Sequence, residues 1–393
     1  MASYFAFLGA LNVVTNVIVV EPDVLATGRF GDPATAIQTY QNGSQYGRYA
    51  GRGMTFDPLS GGFTHVPLSG TLGPPILARD PRIDFSDSIA PTERSPAKIS
   101  VTRPISDVVN FKFCDPDARV RFSTDATTID IGVRFTKLTT HGAFNSTTEI
   151  LVDGVSNSTF NAANDTANND PPSTVVKTLT FGSAATRTIE LLWPSGDSMD
   201  FLSVRTNPGA TVSAATPRPA AKICVLGDSI TQGLALTKPS MNWTYKLGAL
   251  KNRQIVNLGF GGRTAVASDG SAVAGTGCGS VFYMIGTNDF IGQVPIATFR
   301  SNVQQALQNI RAALPAAKIY ASGPLYITAS FAIPASSYRS AVSAAVAATG
   351  DANTTYVDGL ALMTNNSNRM SDGTHPNDTG TTEIAAALAA MIQ

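Results

Sequence analysis

The pattern of apolar and polar positions changes near residue 222. Before it, short runs such as Arg119–Thr124 and Thr128–Phe135 alternate apolar and polar residues, as strands with one buried face do. After it, short apolar runs such as Ile223–Leu226 alternate with segments such as Ile296–Leu314, whose apolar residues recur every three or four positions. The first pattern predicts an antiparallel β-sandwich, and the second predicts a parallel sheet with helices on both faces.

These patterns divide the chain into three parts. They are an N-terminal hairpin with an extended anchoring arm (residues 1–95), a jelly-roll-like β-sandwich (96–213) and an α/β domain (221–393). The hairpin is predicted from two β-rich runs, Tyr4–Ala10 and Val13–Glu21. Glycine and proline are frequent in the rest of the first part. We interpret Pro67 to Pro96, which has little periodicity, as an extended arm or linker.

Composition narrows the classes of function. The 28 Lys and Arg residues balance the 28 Asp and Glu residues, which excludes a broad basic surface for nucleic acid and a polybasic membrane anchor. No run of eighteen apolar residues occurs, so we expect no membrane-spanning segment. The apolar N-terminus lacks a basic start and is interrupted by Asn12, Thr15 and Asn16. We therefore expect no cleavable signal peptide.

Cysteine and histidine are scarce. The cysteines are Cys114, Cys224 and Cys278, and the histidines are His65, His141 and His375. Three cysteines are too few for a disulfide framework, so we expect free thiols. No Cys/His spacing suggests zinc, and we expect neither a metal site nor a cofactor. His65 and His141 are expected to have surface or core roles.

Polar residues and glycines follow the predicted strands of the α/β domain. They are Ser229 after Ile223–Leu226, Gly261 and Gly262 after Ile255–Leu258, and Asn288 and Asp289 after Val281–Ile285, with Asp372 and His375 ahead of the final helix. Ligand sites in such sheets lie beyond the carboxyl ends of the strands, so these residues are expected to converge at one edge.

This set of residues supports acyl transfer. A serine hydroxyl needs a histidine to take its proton, and a carboxylate must orient that histidine. Ser229, His375 and Asp372 supply these three roles. The developing oxyanion needs hydrogen-bond donors, for which the backbone N–H groups of Ser229 and Gly262 and the side-chain amide of Asn288 are candidates. Asp289 is predicted to be structural, as a cap for the next segment.

The same residues resemble the SGNH, or GDSL, hydrolase superfamily. The resembling blocks are GDSITQG at Gly227–Gly233, NLGFGG at Asn257–Gly262, GTND at Gly286–Asp289 and DGTHP at Asp372–Pro376. The resemblance covers roughly residues 221–393 and implies a flavodoxin-like parallel sheet. It also implies Ser229 as nucleophile, Asp372 and His375 as its partners, and Gly262 and Asn288 as oxyanion donors, with Gly261 as the alternative register.

Two looser resemblances concern the rest of the chain. The segment Arg187–Pro194 resembles the end of the β-sandwich that precedes the SGNH domain of several carbohydrate esterases. It implies an esterase that removes O-acyl groups, above all O-acetyl groups, from a polysaccharide. The second resemblance is to N-terminal segments of tailed-phage virion proteins and lies in Asn16–Glu21, in Gly31–Pro33 with Gln38 and Thr39, and in Tyr49–Asp57. It implies an extracellular fibre or spike component, with virion structural proteins as partners.

The expected partners are an acylated polysaccharide and virion proteins, with a homo-oligomer as a further expectation and neither nucleic acid nor membrane. Two other functions stay open. One is a lipid or small-ester hydrolase on the same triad, against which the sandwich and the low aromatic content argue. The other is a virion protein that only binds glycan, against which the complete triad argues.

Overall fold

The structure is a computed structural model that describes residues 115–136, 147–161 and 173–392 without a break. Ahead of them it describes residues 72–73, 75–78, 80–87, 91–95 and 98–101, and short strands within residues 3–64. Cys114, His65 and His141 lie outside the described residues.

The short N-terminal strands include the predicted hairpin. They are β1 (Ser3–Leu8), β2 (Val14–Val20), β3 (Ala36–Thr39), β4 (Thr55–Asp57) and β5 (Gly62–Thr64). Strands β1 and β2 pair antiparallel, with Ser3 opposite Val20 and Leu8 opposite Val14. Strand β3 joins the other edge of β1, and β4 pairs with β5.

Two antiparallel sheets follow. Their strands are β6 (Ile76–Leu77), β7 (Asp84–Ser86), β8 (Pro91–Ser95), β9 (Lys98–Val101), β10 (Arg119–Thr124), β11 (Thr128–Thr136), β12 (Thr148–Val152), β13 (Val155–Phe160), β14 (Ser173–Thr180), β15 (Arg187–Leu192), β16 (Ser198–Thr206) and β17 (Val212–Ser213). One sheet has the order β13-β12-β15-β10-β17 and the other the order β14-β11-β16-β9-β8. Alternate residues of both, such as Phe122, Ile131 and Phe201, are buried in one shared core.

Part of the predicted arm belongs to these sheets. Strand β6 pairs with β16, and β7 pairs with β10, placing Phe85 opposite Val120. Ala78 and Ile83 are buried in the shared core. The structure therefore differs from the extended linker that we predicted for Pro67–Pro96, because strands of two or three residues are too short to show periodicity. The other domain boundaries stay predictions.

The parallel sheet begins at residue 222. Its strands are β18 (Lys222–Gly227), β19 (Gln254–Gly259), β20 (Ser280–Met284), β21 (Lys318–Ser322) and β22 (Thr354–Val357), in the order β19-β18-β20-β21-β22. The helices are α1 (Ser229–Gln232), α2 (Trp243–Lys251), α3 (Thr287–Ile291), α4 (Ile296–Ala313), α5 (Ala335–Thr349) and α6 (Asp378–Met391). Short 3-10 turns cover Pro239–Met241, Ala267–Val273, Gly359–Ala361 and Ser367–Arg369.

Helices cover both faces of this sheet. Phe299, Val303 and Leu307 of α4, spaced four residues apart, are buried together with α5 on one face, as the sequence pattern predicts. Trp243 of α2 and Ile384 of α6 are buried on the other face. The predicted fold class is confirmed: a flavodoxin-like parallel sheet with flanking helices, preceded by antiparallel sheets. Among the described helices, none has the length and apolar character to cross a membrane.

A disulfide joins Cys224 of β18 to Cys278, two residues before β20. The two residues are 54 positions apart in sequence, but β18 and β20 are neighbours in the sheet and bring the Cα atoms to 5.7 Å. The expectation of free thiols is therefore wrong for this pair. A count of cysteines carries no information about which strands become neighbours.

Buried charges join the antiparallel sheets to the α/β domain. The Asp87 carboxylate accepts the Ile255 N–H at 2.8 Å and pairs with the guanidinium groups of Arg119 and Arg218, each at 3.0 Å. The Glu149 carboxylate accepts the N–H and the hydroxyl of Ser240 at 2.8 and 2.9 Å. Each carboxylate accepts hydrogen bonds from the α/β domain. A buried charge needs such partners to be tolerated.

Candidate active site

Ser229 lies at the start of a one-turn helix directly after β18. The Asp228 carboxylate accepts the Ile230 N–H at 3.0 Å and begins this helix. Gly233, with a φ of 91°, ends it by donating its N–H to the Ser229 carbonyl. A Cβ on Gly227 would collide with the Thr231 hydroxyl and the Met284 carbonyl. The glycine therefore allows the sharp turn that puts the serine at the carboxyl end of the sheet.

Ser229, His375 and Asp372 form a continuous chain of hydrogen bonds. The His375 Nε2 atom lies 2.8 Å from the Ser229 Oγ atom, and the Nδ1 atom lies 2.7 Å from Asp372 Oδ2. The other Asp372 oxygen accepts the backbone N–H groups of Thr374 and His375 at 2.9 and 2.8 Å. The structure thus brings the three predicted triad residues together in the order that proton transfer from a serine requires.

The hydrogen bonds around Asp372 favour its ionised form. Burial alone would raise the pKa of this carboxyl. The hydrogen bonds from the His375 backbone and ring and from the Thr374 N–H outweigh burial and lower the pKa below its ordinary value. An ionised Asp372 can hold the Nδ1–H tautomer of His375 and stabilise the imidazolium that forms when the serine proton is taken.

Gly262, the predicted oxyanion donor, lies in open surroundings. Its φ is +77°, and no other atom lies within 4 Å of where its Cβ would be. The neighbouring N–H of Gly261 is occupied, since it donates to the Gln232 Oε1 atom at 2.6 Å. The geometry therefore favours the predicted Gly262 over the alternative register at Gly261.

Asn288 lies in the first turn of α3, and its amide lies beside the same loop. The Nδ2 atom donates one hydrogen to the Arg263 carbonyl at 3.0 Å, which fixes the orientation of the amide. A side-chain amide carries two N–H hydrogens, so the second can serve an oxyanion. The residue is half-buried, as a donor that must meet substrate requires.

Asp289 supports the loop of residues 261–265, which we call the oxyanion loop. We had predicted instead that Asp289 caps the next segment. Both of its oxygens accept the Ala265 N–H, at 3.1 and 3.2 Å. Burial is the main cause that raises the pKa of this carboxyl to about 7, and the nearby charges of Asp228 and Asp269 add to it. Burial also raises the pKa of Asp228 to about 6.

Gln232 is a site residue that sequence reasoning missed. Its side chain is fully buried and contacts Gly261 through Oε1 and the Ser195 carbonyl, at 2.7 Å, through Nε2. The signal that could have identified Gln232 is that a polar side chain lies inside the GDSITQG motif, in a helix whose residues are buried. Among the described residues, no group of three or more His, Cys, Asp or Glu side chains could hold a metal ion.

Part of the chain is similar to the GDSL-like lipase/acylhydrolase family. Residues 225–382 match that family, and the matched range includes the whole hydrogen-bonded chain of Ser229, His375 and Asp372. No curated protein matches the sequence at a significant level.

Solved structures share the fold at low sequence identity. The salicylyl-acyltransferase SsfX3 from a tetracycline biosynthetic pathway is 18% identical with a TM-score of 0.67, over 82% of this chain and 98% of that chain. A family two carbohydrate esterase from Cellvibrio japonicus is 15% identical with a TM-score of 0.61, over 81% and 96%. The acetyl xylan esterase Est2A from the rumen bacterium Butyrivibrio proteoclasticus is 11% identical with a TM-score of 0.58, over 82% and 98%.

Proposed function

We propose that this protein is a serine esterase that removes O-acyl groups, chiefly O-acetyl groups, from a polysaccharide. The observation that carries the proposal is the hydrogen-bonded chain from Ser229 through His375 to Asp372, with distances of 2.8 and 2.7 Å, beside the unobstructed Gly262. A protein that only bound glycan would have no need of this arrangement.

The reaction proceeds in two steps. The Ser229 Oγ atom attacks the ester carbonyl carbon while His375 Nε2 takes the hydroxyl proton, and the N–H groups of Gly262 and Asn288 stabilise the oxyanion. The tetrahedral intermediate expels the sugar alkoxide, which takes the proton from His375. A water molecule, deprotonated by His375, then attacks the acyl-serine and releases the carboxylic acid and the free serine.

Two observations support a carbohydrate ester as substrate. The carbohydrate esterase from Cellvibrio japonicus aligns over 81% of this chain, so its likeness extends beyond the α/β domain to the antiparallel sheets. The site is also open on the side of His375 and Asp372, whose side chains are 21% and 51% exposed, while Ser229 is 6% exposed. A site that is open beside a buried serine allows a long polymer to approach with single ester groups.

We further propose that the enzyme acts outside the cell, attached to a particle such as a virion through its N-terminal residues. The Cys224–Cys278 disulfide supports the location, because such bonds persist mainly in oxidising environments. The support for a virion is the sequence resemblance of Tyr49–Asp57 and its companion segments. The partners would be virion structural proteins, and the assembly a homo-oligomer.

Hydrolysis of p-nitrophenyl acetate, followed by acetate release from an acetylated polysaccharide, tests the proposed activity. The protein should release acetate from both, and the folded Ser229→Ala variant should retain less than about one thousandth of the turnover. A clear preference for long-chain esters would favour a lipid hydrolase instead. A folded protein that binds the polysaccharide but cleaves no ester would favour a glycan-binding protein.

A further inference from the structure

Gln232 connects the oxyanion loop to the antiparallel sheets. Its Oε1 atom accepts the Gly261 N–H at 2.6 Å, and its Nε2 atom donates to the Ser195 carbonyl at 2.7 Å. The side chain is completely buried. Both hydrogen bonds are therefore shielded from water, and leaving either partner without its bond would carry the full desolvation penalty.

The carbonyl of Ser195 fixes which way the Gln232 amide faces. A carbonyl oxygen only accepts, so the NH₂ end of the amide must point towards Ser195. The oxygen end then faces Gly261, whose N–H only donates. The amide consequently has one orientation in which both contacts are made.

Ser195 itself is held by the core of the antiparallel sheets. It lies in the connection between β15 and β16, two residues after Trp193, whose indole is buried. The Trp193 indole N–H donates to the Met199 carbonyl at 3.0 Å, and its backbone N–H donates to the Ala118 carbonyl at 2.9 Å. The Ser195 carbonyl is thus a rigid reference point belonging to the preceding sheets.

The backbone near Gln232 is packed too closely to move independently. A Cβ on Gly259, at the end of β19, would collide with the backbone of Gln232 and Thr231. Strand β19 leads directly into the loop of Gly261 and Gly262. Helix α1, which begins with Ser229, and the oxyanion loop are therefore in contact along the backbone as well as through the Gln232 side chain.

We propose that Gln232 is a positioning residue for the oxyanion hole and that the antiparallel sheets complete the active site through it. The amide holds the Gly261 peptide, and the Gly261 peptide sets the direction of the Gly262 N–H. The inference rests on the proposed esterase activity and adds to it that the α/β domain is not catalytically self-sufficient.

Two variants of Gln232 separate positioning from simple packing. Gln232→Met keeps the volume and removes both hydrogen bonds, so kcat on p-nitrophenyl acetate should fall about ten- to a hundredfold with KM nearly unchanged. Gln232→Glu keeps the acceptor for Gly261 and can donate to Ser195 only when protonated. The activity ratio of this variant to the parent should therefore rise as the pH is lowered from 9 to 6.

Ser240→Ala is the matched control. It removes a buried hydrogen bond between the same two domains, from the Ser240 hydroxyl to Glu149 at 2.9 Å, without touching the oxyanion loop. This variant should keep the parent's kcat even if its melting temperature falls. An equal loss of kcat in Ser240→Ala and Gln232→Met would show that any loosening of the interface lowers activity, which contradicts a specific role of Gln232.

Labelling of Ser229 by a fluorophosphonate, followed by mass spectrometry, distinguishes this inference from the proposed function. The reaction displaces fluoride and uses the same oxyanion donors but needs no particular ester. A parent protein that is labelled but hydrolyses no ester would refute the proposed function alone. Parent-like labelling of folded Gln232→Met, or a pH-independent activity ratio for Gln232→Glu, would refute the positioning role.

Discussion

At the scale of single residues, the oxyanion loop is supported from several directions at once. Gln232 accepts the Gly261 N–H, Asn288 donates to the Arg263 carbonyl and Asp289 accepts the Ala265 N–H. The Arg263 guanidinium also pairs with the Asp269 carboxylate. Because every second residue of this short loop is fixed, the Gly262 N–H between them has a defined direction before substrate arrives, as oxyanion stabilisation requires.

Asn288→Ala tests the side-chain donor of this site. The substitution removes the amide and frees the Arg263 carbonyl, so kcat should fall by about a hundred- to a thousandfold with a small change in KM. Asn309→Ala is the matched control, because the Asn309 amide also donates to a backbone carbonyl, that of Ala267 at 2.8 Å. Both variants are measured by steady-state kinetics. Equal kcat values would exclude Asn288 as an oxyanion donor.

Asp289→Asn tests the buried carboxyl through the pH dependence of stability. The pKa of about 7 in the folded protein lies above the ordinary 3.8, so the folded state binds more protons between these values. The contribution of Asp289 to the free energy of unfolding is therefore lost as the pH rises from about 4 to 7.

An asparagine keeps an oxygen for the Ala265 N–H but never ionises. The stability of Asp289→Asn relative to the parent should increase from pH 4 to pH 8, by on the order of 3 kcal/mol. Urea unfolding of both proteins at several pH values measures this difference in unfolding free energy. A difference that stays constant with pH would mean that Asp289 does not titrate in this range.

Ser229, Gly262 and Asn288 could be proposed from the sequence because each lies in a short motif that follows a strand. Asp372 and His375 could be proposed because they share one short motif ahead of the final helix. Asp372 and His375 need only three residues of chain to meet. Gln232 and Asp87 could not be assigned a role, since their partners Ser195 and Ile255 are 37 and 168 residues away. Such pairings depend on how two domains dock, which local patterns do not encode.

At the scale of elements, the strongly periodic segments were predicted well and the shortest were not. Helix α4 is observed at Ile296–Ala313, one residue shorter than its predicted range. Strands β6 and β7 have two and three residues and owe their conformation to pairing with β16 and β10. A strand of that length becomes stable only through its neighbours, so its own residues give little indication of it.

The disulfide between β18 and the start of β20 should stabilise the α/β domain without affecting chemistry. The variant Cys224→Ala/Cys278→Ala should lose about 2–4 kcal/mol of unfolding free energy, since the closed loop spans 54 residues. Its kcat on p-nitrophenyl acetate should stay within about twofold of the parent, because neither cysteine contacts the triad.

Reduction of the parent provides the matching measurement. Dithiothreitol should lower the melting temperature of the parent to that of the double variant and leave the variant unchanged. Identical melting temperatures of untreated parent and variant would show that the bond contributes nothing to stability.

At the scale of the whole molecule, we expect the dispensable N-terminal part to end before β6. Deletion of residues 1–71 should leave kcat/KM on a small acetyl ester within about twofold, because these residues include none of the groups in the site. Deletion of residues 1–95 also removes β6, β7 and Asp87, and should yield an unstable protein with little activity. The two truncated proteins are compared by thermal unfolding and by turnover.

Asp87→Ala in the full chain isolates one reason why deletion of residues 1–95 should destabilise the protein more than deletion of residues 1–71. It leaves the guanidinium groups of Arg119 and Arg218 without their shared carboxylate and should lower the unfolding free energy by about 3–5 kcal/mol. Loss of esterase activity on deletion of residues 1–71 alone would instead show that the N-terminal strands help to build the site.

The contact of Asp87 with Ile255 also has a consequence for solubility. Strand β19 is an edge of the parallel sheet, and Asp87 accepts one of its outward N–H groups while Asp117 accepts the side-chain amide of Asn257 on the same strand. An uncovered edge strand is a template for pairing with another copy of the chain. The antiparallel sheets therefore protect the enzyme from aggregation, and a fragment that starts at residue 221 should precipitate through its β19 edges.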